Sequence, residues 1–568
     1  MSYPTPLRAP FPLAPLHVDQ PASPLSIALP GVRASTRAFA SVAAFAGTLA
    51  IAALNEHAPL DIKPGPLGLA LAASMPLIAA IVAAYAVERP WPAFAVILLL
   101  TPCWDAAQVS WDVSPVWQVG TVQVVLQTLF VLALVLGVVL RDSETHDLAA
   151  SGVTTGPSAS SRPGTIAWDR AAAFAGHNAG WLATAALLVL ATLSTLRSPD
   201  LGSSATVLMH GILEPLAMGI ILLILATGRR RLALVLVALG LSVALGGAIN
   251  MIQSIPAFGN LASLQTNRLL FSRLTFFNVG LFGEMLAMAA PLLLGAIAAR
   301  RQLGLGRLAM AVLTIALVVS AAALFLTFSK SAYLATAGGV VTFFLLLATT
   351  WRRRASVVLV SVALSAFVVP WPALLLQASP ALETAYSTVM IKMVGASRYY
   401  SWDPSMLSGR GSLVERFLAT EAAVQMAVDH PALGIGLDQF KTQYVDTYKT
   451  PQAHLDLDSA HTFWPEVAAE LGIPALALVV LIFALAMLAL WRVYRAPPDQ
   501  MTRLLAVTLL ASLVAWIVVA TAFAGDMYRP WRNMSSDFVM MAVLVAAAFA
   551  LSRGAAGRLS PRRQALVS

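Results

Sequence analysis

Apolar runs long enough to cross a bilayer recur along this chain from one end to the other, and that repetition limits its fold more than any other feature. "PLGLALAASMPLIAAIVAAYAV" at 66–87 is one such run, and "LVVLIFALAMLAL" at 478–490 lies within another. A hydrocarbon core about 30 Å thick is spanned by about 20 apolar residues in a helix. Only 11% of the 568 residues are charged, against roughly 25% in a soluble globular chain. The chain is therefore expected to be all-α, a polytopic bundle of about 12–14 transmembrane helices. Candidate spans fall at 36–54, 66–87, 91–104, 119–140, 180–197, 204–227, 231–252 and 276–298. Further ones fall at 307–327, 331–350, 355–377, 463–490, 502–524 and 536–552. The run 91–104 is short enough to re-enter the membrane instead of crossing it.

Charge orients these spans. A net charge of +9 would suggest nucleic acid in a soluble protein, but no basic patch here is interleaved with aromatic residues. Instead the arginines gather in short loops: "GRRR" at 228, "ARRQLGLGR" at 299, "WRRRA" at 351 and "WRVYRAPPDQMTR" at 491. With both termini cytoplasmic these loops share the inner side, as the positive-inside rule requires. The chain then divides into a Pro/Ser/Ala-rich tail without order at 1–34, spans at 35–140 and a cytoplasmic Ser/Thr/Gly-rich linker at 141–179. Central spans at 180–377, an extracytoplasmic loop at 378–462, C-terminal spans at 463–552 and a basic cytoplasmic tail at 553–568 complete it. The loop 378–462 is the one outer segment long enough to fold over a membrane site. The single cysteine, Cys103, excludes an intrachain disulfide and a thiolate metal cluster.

Polar groups concentrate where spans meet the outer face. In "LLFSRLTFFNVGLFGEMLAM", 269–288, Arg273 departs from the inward bias of arginine, and Glu284 lies inside the apolar run. An ionisable group there calls for a partner or an aqueous cavity. In "FLTFSKSAYLATAGG", 325–339, Lys330 stands between Ser329 and Ser331, either capping a span or contacting phosphate. In "SGRGSLVERFLATEAAVQMAVDHPALGIGLDQF", 408–440, Arg410 and Arg416 are further candidate anion contacts, with 412–428 helical and Pro431, Gly434 and Gly436 ending the helix. In "LDLDSAHTFWPEVAAELGIPAL", 455–476, Thr462 is the expected N-cap of a helix whose first turn holds Pro465 and Glu466. The amino end of that helix attracts anions and favours a neutral His461, the form a general base needs. Glu466 and Glu470, four residues apart, share a face and are placed to orient His461 or pair with Arg416. His454, Asp456 and Asp458 alternate along an extended stretch in a pattern open to a divalent ion, but the spacing is loose and no metal site is assigned.

An apolar scaffold with outward cations and a histidine suits a ligand with a lipid tail and an anionic diphosphate. Four fragments, in order, carry a resemblance to the O-antigen ligase/polymerase superfamily of bacterial polysaccharide assembly (Wzy/WaaL-like proteins). "RLTFFNVGLFGEMLAM" resembles the family's Arg followed by F-NPN-x-F-A-x-x-L, with Asn278 kept and Val279 and Gly280 in place of Pro and Asn. "TFSKSAYLA" resembles T-x-S-R-G-A-W-L-A with Lys330 for Arg. "VERFLATEAAVQMAVDHPALGIGLDQF" resembles R-x-x-x-W followed by D-x-P-x-x-G-x-G, with Arg416 kept and Thr420 for Trp. "AHTFWPEVAAELGIPAL" resembles H-N-x-x-L-x-x-x-x-E-x-G, with His461, Glu470 and Gly472 kept and Thr462 for Asn.

The resemblance implies a GT-C-like, inverting, metal-independent glycosyltransferase of the bacterial cytoplasmic membrane, with no cofactor. Its donor would be a glycan on polyprenyl (undecaprenyl) diphosphate, and its acceptor a second glycan, lipid A-core or a protein hydroxyl. It makes His461, Arg416 and Arg273 the catalytic and diphosphate-binding candidates; the residues themselves add Lys330, Arg410 and Ser329 as further diphosphate contacts and Glu466 and Glu470 as groups orienting the base. Membrane lipids are expected partners and nucleic acid is not. A transporter or flippase for a polyprenyl-linked or other amphiphilic solute is the rival reading, since many spans and an intramembrane Glu284 fit it too. Transporters, however, often show two related halves with broken helices, which this chain lacks.

Overall fold

The computed structural model describes residues 34–53, 66–99, 116–119, 122–125, 131–140, 166–225, 228–254, 279–327, 329–348, 350–368, 412–451, 453, 455–521 and 536–556. The helices follow the apolar runs. In chain order they are α1 (Ala34–Ala53), α2 (Pro66–Glu88), α3 (Pro90–Leu99), α4 (Val131–Leu140), α5 (Ile166–Arg197) and α6 (Leu201–Leu225). They continue as α7 (Arg229–Ser254), α8 (Val279–Ala298), α9 (Arg307–Thr327), α10 (Lys330–Leu347) and α11 (Trp351–Val368). The last are α12 (Ser412–Asp429), α13 (Phe463–Leu471), α14 (Ile473–Arg495), α15 (Gln500–Thr521) and α16 (Ser536–Ala556). Among the described residues six helices are long and apolar enough to cross a membrane, and six shorter apolar helices accompany them. The protein is an all-α, multi-pass membrane bundle, as its apolar runs require.

Helix α15 is its axis: 78% of its apolar window is buried, against 22% for α9 at the lipid-facing edge. It packs against α8 and α10, and small residues set the approach. A Cβ on Gly339 of α10 would lie 3.0 Å from the Ala515 Cβ, and one on Gly295 of α8 only 2.1 Å from Thr508 Oγ1. Without a hydrophobic driving force in lipid, such close backbone contact is what holds membrane helices together. The Ser512 hydroxyl adds a bond to the Met288 carbonyl at 3.1 Å.

These contacts also sort the arginines. Arg229, opening α7, pairs with Asp499, which caps α15 by accepting from the Thr502 N–H at 2.9 Å. Tyr494 near the end of α14 donates to the Leu346 carbonyl at the end of α10 at 3.1 Å. Arg229–Arg231, Arg352–Arg354, Arg492, Arg495 and Arg503 therefore gather at one end of the bundle. The opposite end carries the amino ends of α8, α10 and α13.

The structure departs from the expected spans in four places. Within 119–140, Val116–Val119 and Val122–Val125 form an antiparallel hairpin, and only Val131–Leu140 is helical. Alternating β-branched valines in "VWQVGTVQVV" favour strands over helix. Helix α5 begins at Ile166, inside the stretch expected as a linker, because "AAAFAG" within 171–176 is rich in the strongest helix former. Helix α6 passes through a π-helical turn at Leu208–Leu213. The run 463–490 is two helices, α13 and α14, separated at Gly472.

Candidate active site

Residues 412–471 build a small layer over one end of the bundle. Its core joins Ala419, Ala423 and Met426 of α12 to Phe440, Tyr444 and Ala460 of the following segments. After α12 the chain turns through "HPALGIG" and docks onto the end of α13. The Ile435 N–H donates to the Ala469 carbonyl at 2.8 Å, the Gly436 N–H to that of Glu470 at 3.2 Å, and the Ile473 N–H to that of Pro431 at 2.8 Å. Two glycines permit this approach. Gly434 has φ +67 and would place a Cβ 2.3 Å from the Glu470 carbonyl carbon; Gly472 has φ +89 and would place one 2.6 Å from the Ala432 oxygen. Beneath this turn the Ser194 hydroxyl of α5 donates to the Glu470 carbonyl at 2.8 Å. The Ser204 hydroxyl donates to Leu437, and Ser203 to the Asp438 carboxylate. None of these serines stood out in the sequence, because their partners lie more than 200 positions away.

His461 sits in the connection between this layer and α13. It is 7% exposed, and its φ of 54 is left-handed, a conformation that costs a non-glycine residue about 1–3 kcal/mol. The surroundings impose it. The His461 N–H donates to Ser459 Oγ at 3.3 Å, and the preceding Ala460 N–H donates to Glu466 Oε2 at 3.0 Å. Thr462 follows in extended conformation as the N-cap of α13, the position its sequence predicted. Its hydroxyl does not cap that helix; it lies 3.0 Å from Thr420 Oγ1 of α12. Thr420 Oγ1 is in turn 3.0 Å from the Ala460 carbonyl and 2.8 Å from that of Arg416. The two residues flanking His461 are thus tied to the helix turn that carries Arg416.

The glutamates hold backbone. Glu466 Oε2 accepts from Ala460 as described, and Glu470 Oε1 accepts from the Phe440 N–H at 3.1 Å. Both carboxylates are buried. Glu415, next to Arg416, accepts from the Leu455 N–H at 3.2 Å and fastens the 449–458 segment to α12. Tyr444 is wholly buried nearby, and its pKa is pushed up to about 12, first by burial and then by the charges of Glu415 and Asp456. Tyr448 is also raised, by burial and by its bond to Asp429.

An aromatic cluster anchors α13 to the bundle. Phe463 meets Trp516 edge-on at 5.1 Å, Trp516 stacks on Phe483 at 4.3 Å, and Trp464 Nε1 donates to Thr521 Oγ1 at 3.1 Å. The bond to Thr521 sets His461 at the end of the bundle where α15 finishes. Because Gly338 lies against Val518 and Gly339 against Ala515, α10 runs antiparallel to α15 and begins at that same end. Ser329 caps α10, accepting from the Ala332 N–H at 3.4 Å, and its hydroxyl is 3.1 Å from Ser331. A Cβ on Gly283 of α8 would lie 2.7 Å from the Ala332 Cβ, so Glu284, fully buried, sits beside this turn. The polar places around 283 and 330 therefore meet, the one around 461 lies at the same end of the bundle, and Arg416 is tied to the neighbours of His461 through Thr420. Arg273 and Arg410 lie outside the described residues, as do Asn278, His454 and the side chain of Lys330. Among the described residues no three His, Cys, Asp or Glu side chains are grouped to hold a metal, and Asp456 pairs with Lys449.

The fold and this site define a multi-pass membrane protein whose polar end is organised around a buried histidine. Residues 315–480 match the family model Wzy_C, described as O-antigen ligase. That region runs from within α9 to within α14 and contains Ser329, Lys330, Arg410, Arg416, His461, Glu466 and Glu470. It bears out the resemblance to the O-antigen ligase/polymerase superfamily. No curated protein matches the chain.

Proposed function

We propose that the protein is a membrane glycosyltransferase that moves a glycan from polyprenyl diphosphate to an acceptor hydroxyl at the outer face of the bacterial cytoplasmic membrane. The observation that carries this reading is the placement of His461. It is buried, left-handed and tied on both sides to the helix of Arg416, within the region that matches the O-antigen ligase family. In this reading His461 takes the proton of the acceptor hydroxyl as its oxygen attacks the anomeric carbon. The bond from that carbon to the diphosphate oxygen breaks with inversion, and the electron pair leaves with polyprenyl diphosphate. Arg416 and Arg273 stabilise the departing charge, with Lys330, Arg410 and Ser329 assisting. Glu466 and Glu470 hold the backbone that presents the base. The acceptor would be a growing glycan in a polymerase, lipid A-core in a ligase, or a protein hydroxyl.

The test uses purified full-length protein with a polyprenyl-diphosphate-linked oligosaccharide and each acceptor class in turn. The wild type is expected to release polyprenyl diphosphate and yield a transferred glycan, whereas His461→Ala should lose at least about 100-fold in rate at an unchanged unfolding temperature. Full activity in His461→Ala would remove the histidine from the chemistry. Donor binding by both proteins with no turnover on any acceptor would favour a carrier of the lipid-linked glycan over a transferase.

A further inference from the structure

The opposite end of the bundle holds a groove of about 790 Å³ between α10, α11, α14 and the start of α15. Arg354, Arg495 and Arg503 line it, and among the described residues no Asp or Glu does. Among the described residues none of the three forms an ion pair; the nearby carboxylate, Asp499, is taken by Arg229. Two of the guanidinium groups are held by aromatic rings, Arg495 over Trp491 at 5.9 Å and Arg503 over Tyr494 at 5.5 Å. The third is oriented by its Nε, which donates to the Ala348 carbonyl at 3.2 Å. Three positive groups are thus positioned with no counter-charge among the described residues.

The rest of the groove is apolar, and its wall is exposed on the surface of the bundle. Leu345, Val358 and Leu359 form its wall, and Leu359 is 67% exposed. Trp351, 80% exposed, stands at the rim with Trp491, the residue type that favours the membrane–water interface. Arg503 is eighteen positions before Thr521, so at 1.5 Å per residue the groove lies about 27 Å from the candidate active site, close to the thickness of a hydrocarbon core. The arginines therefore reach the opposite headgroup layer.

We propose that this groove is a binding site for an anionic phospholipid of the phosphatidylglycerol class. The headgroup phosphate contacts Arg354, Arg495 and Arg503, and an acyl chain lies along Leu345, Val358 and Leu359. Basic pockets between transmembrane helices take such headgroups. A zwitterionic lipid would set its ammonium group among three guanidinium groups, with no carboxylate of the described lining to receive it. A free phosphate would leave the apolar wall uncovered.

Native mass spectrometry of the full-length protein, given equal amounts of phosphatidylglycerol and phosphatidylcholine with identical chains, tests this. Phosphatidylglycerol should be retained by at least about tenfold over phosphatidylcholine, falling about fivefold for each arginine replaced in Arg354→Gln, Arg495→Gln and Arg503→Gln. Arg352→Gln with Arg353→Gln, exposed positions on the same helix outside the groove, should change nothing. Equal retention of both lipids, an equal loss in that control, or full displacement by millimolar inorganic phosphate would overturn the proposal. Should the groove variants not fold, a photoactivatable phosphatidylglycerol on the wild type decides: crosslinks must fall within 345–359 and 491–503, and crosslinks elsewhere alone would refute the site.

Discussion

Thr420 Oγ1 stands 3.0 Å from both the Ala460 carbonyl and Thr462 Oγ1, so one hydroxyl couples the helix of Arg416 to both neighbours of His461. Thr420→Val leaves the buried Ala460 carbonyl and the Thr462 hydroxyl without that partner, a loss of about 1–3 kcal/mol. Thermal unfolding and transferase rate should both fall, and Thr420→Ser, which keeps the hydroxyl, should restore both. His461, Arg416 and Glu470 could be named as candidates from the sequence because they keep their spacing in fragments that resemble the family pattern. The partnership of Thr420 and Thr462 was not, since it joins residues 42 positions apart. Tyr444 permits a second prediction at this scale. Its pKa in the fold is about 12, above the ordinary value of 10.0, so the folded state keeps a proton that the unfolded chain releases. The associated stability is fully present below pH about 10 and is lost as pH rises towards 12. Tyr444→Phe should therefore lose less stability than the wild type across that window, as measured by chemical unfolding at each pH.

The pairing of α13 with α14 shows how an element departs from its hydropathy. The apolar run 463–490 reads as one span, yet Gly472 adopts φ +89 and the chain breaks there. The break lets α13 lie under α12 and the 431–436 turn while α14 continues through the bundle. Gly434→Ala should be costly, because the new Cβ would fall 2.3 Å from the Glu470 carbonyl carbon at a left-handed φ. A destabilisation of about 2–4 kcal/mol is expected from the conformational and steric terms together. Gly306→Ala, which meets nothing within 4 Å, should shift stability by less than about 0.5 kcal/mol. Unfolding of the two variants side by side checks the contrast. The glycines were visible in the sequence as helix breakers. That they face each other's backbone was not, because hydropathy and propensity are local quantities and docking is not.

Across the described bundle, the arginine clusters at 229–231, 352–354 and 492–503 gather at one end and the histidine layer lies at the other. That arrangement predicts a sidedness. In spheroplasts of a Cys103→Ser background, Asp456→Cys should react with a membrane-impermeant maleimide, and Arg353→Cys only after permeabilisation. The reverse pattern would put the candidate active site in the cytoplasm. The sequence by itself determined that this is a helical membrane bundle, since 58% hydrophobic residues in runs of span length admit no soluble fold. It also marked the fragments that resemble the O-antigen ligase/polymerase pattern, because those are matters of residue type and spacing along the chain. The tertiary structure alone decided that Gly283 packs against the turn of Ser329 at the end of the bundle that also holds His461, and that Thr420 binds across to Thr462. It alone decided, too, that three arginines from separate helices share one groove. The physical reason is the same in each case: these contacts depend on which small residues let helices approach and on the register at which they cross, and neither is encoded in any one segment.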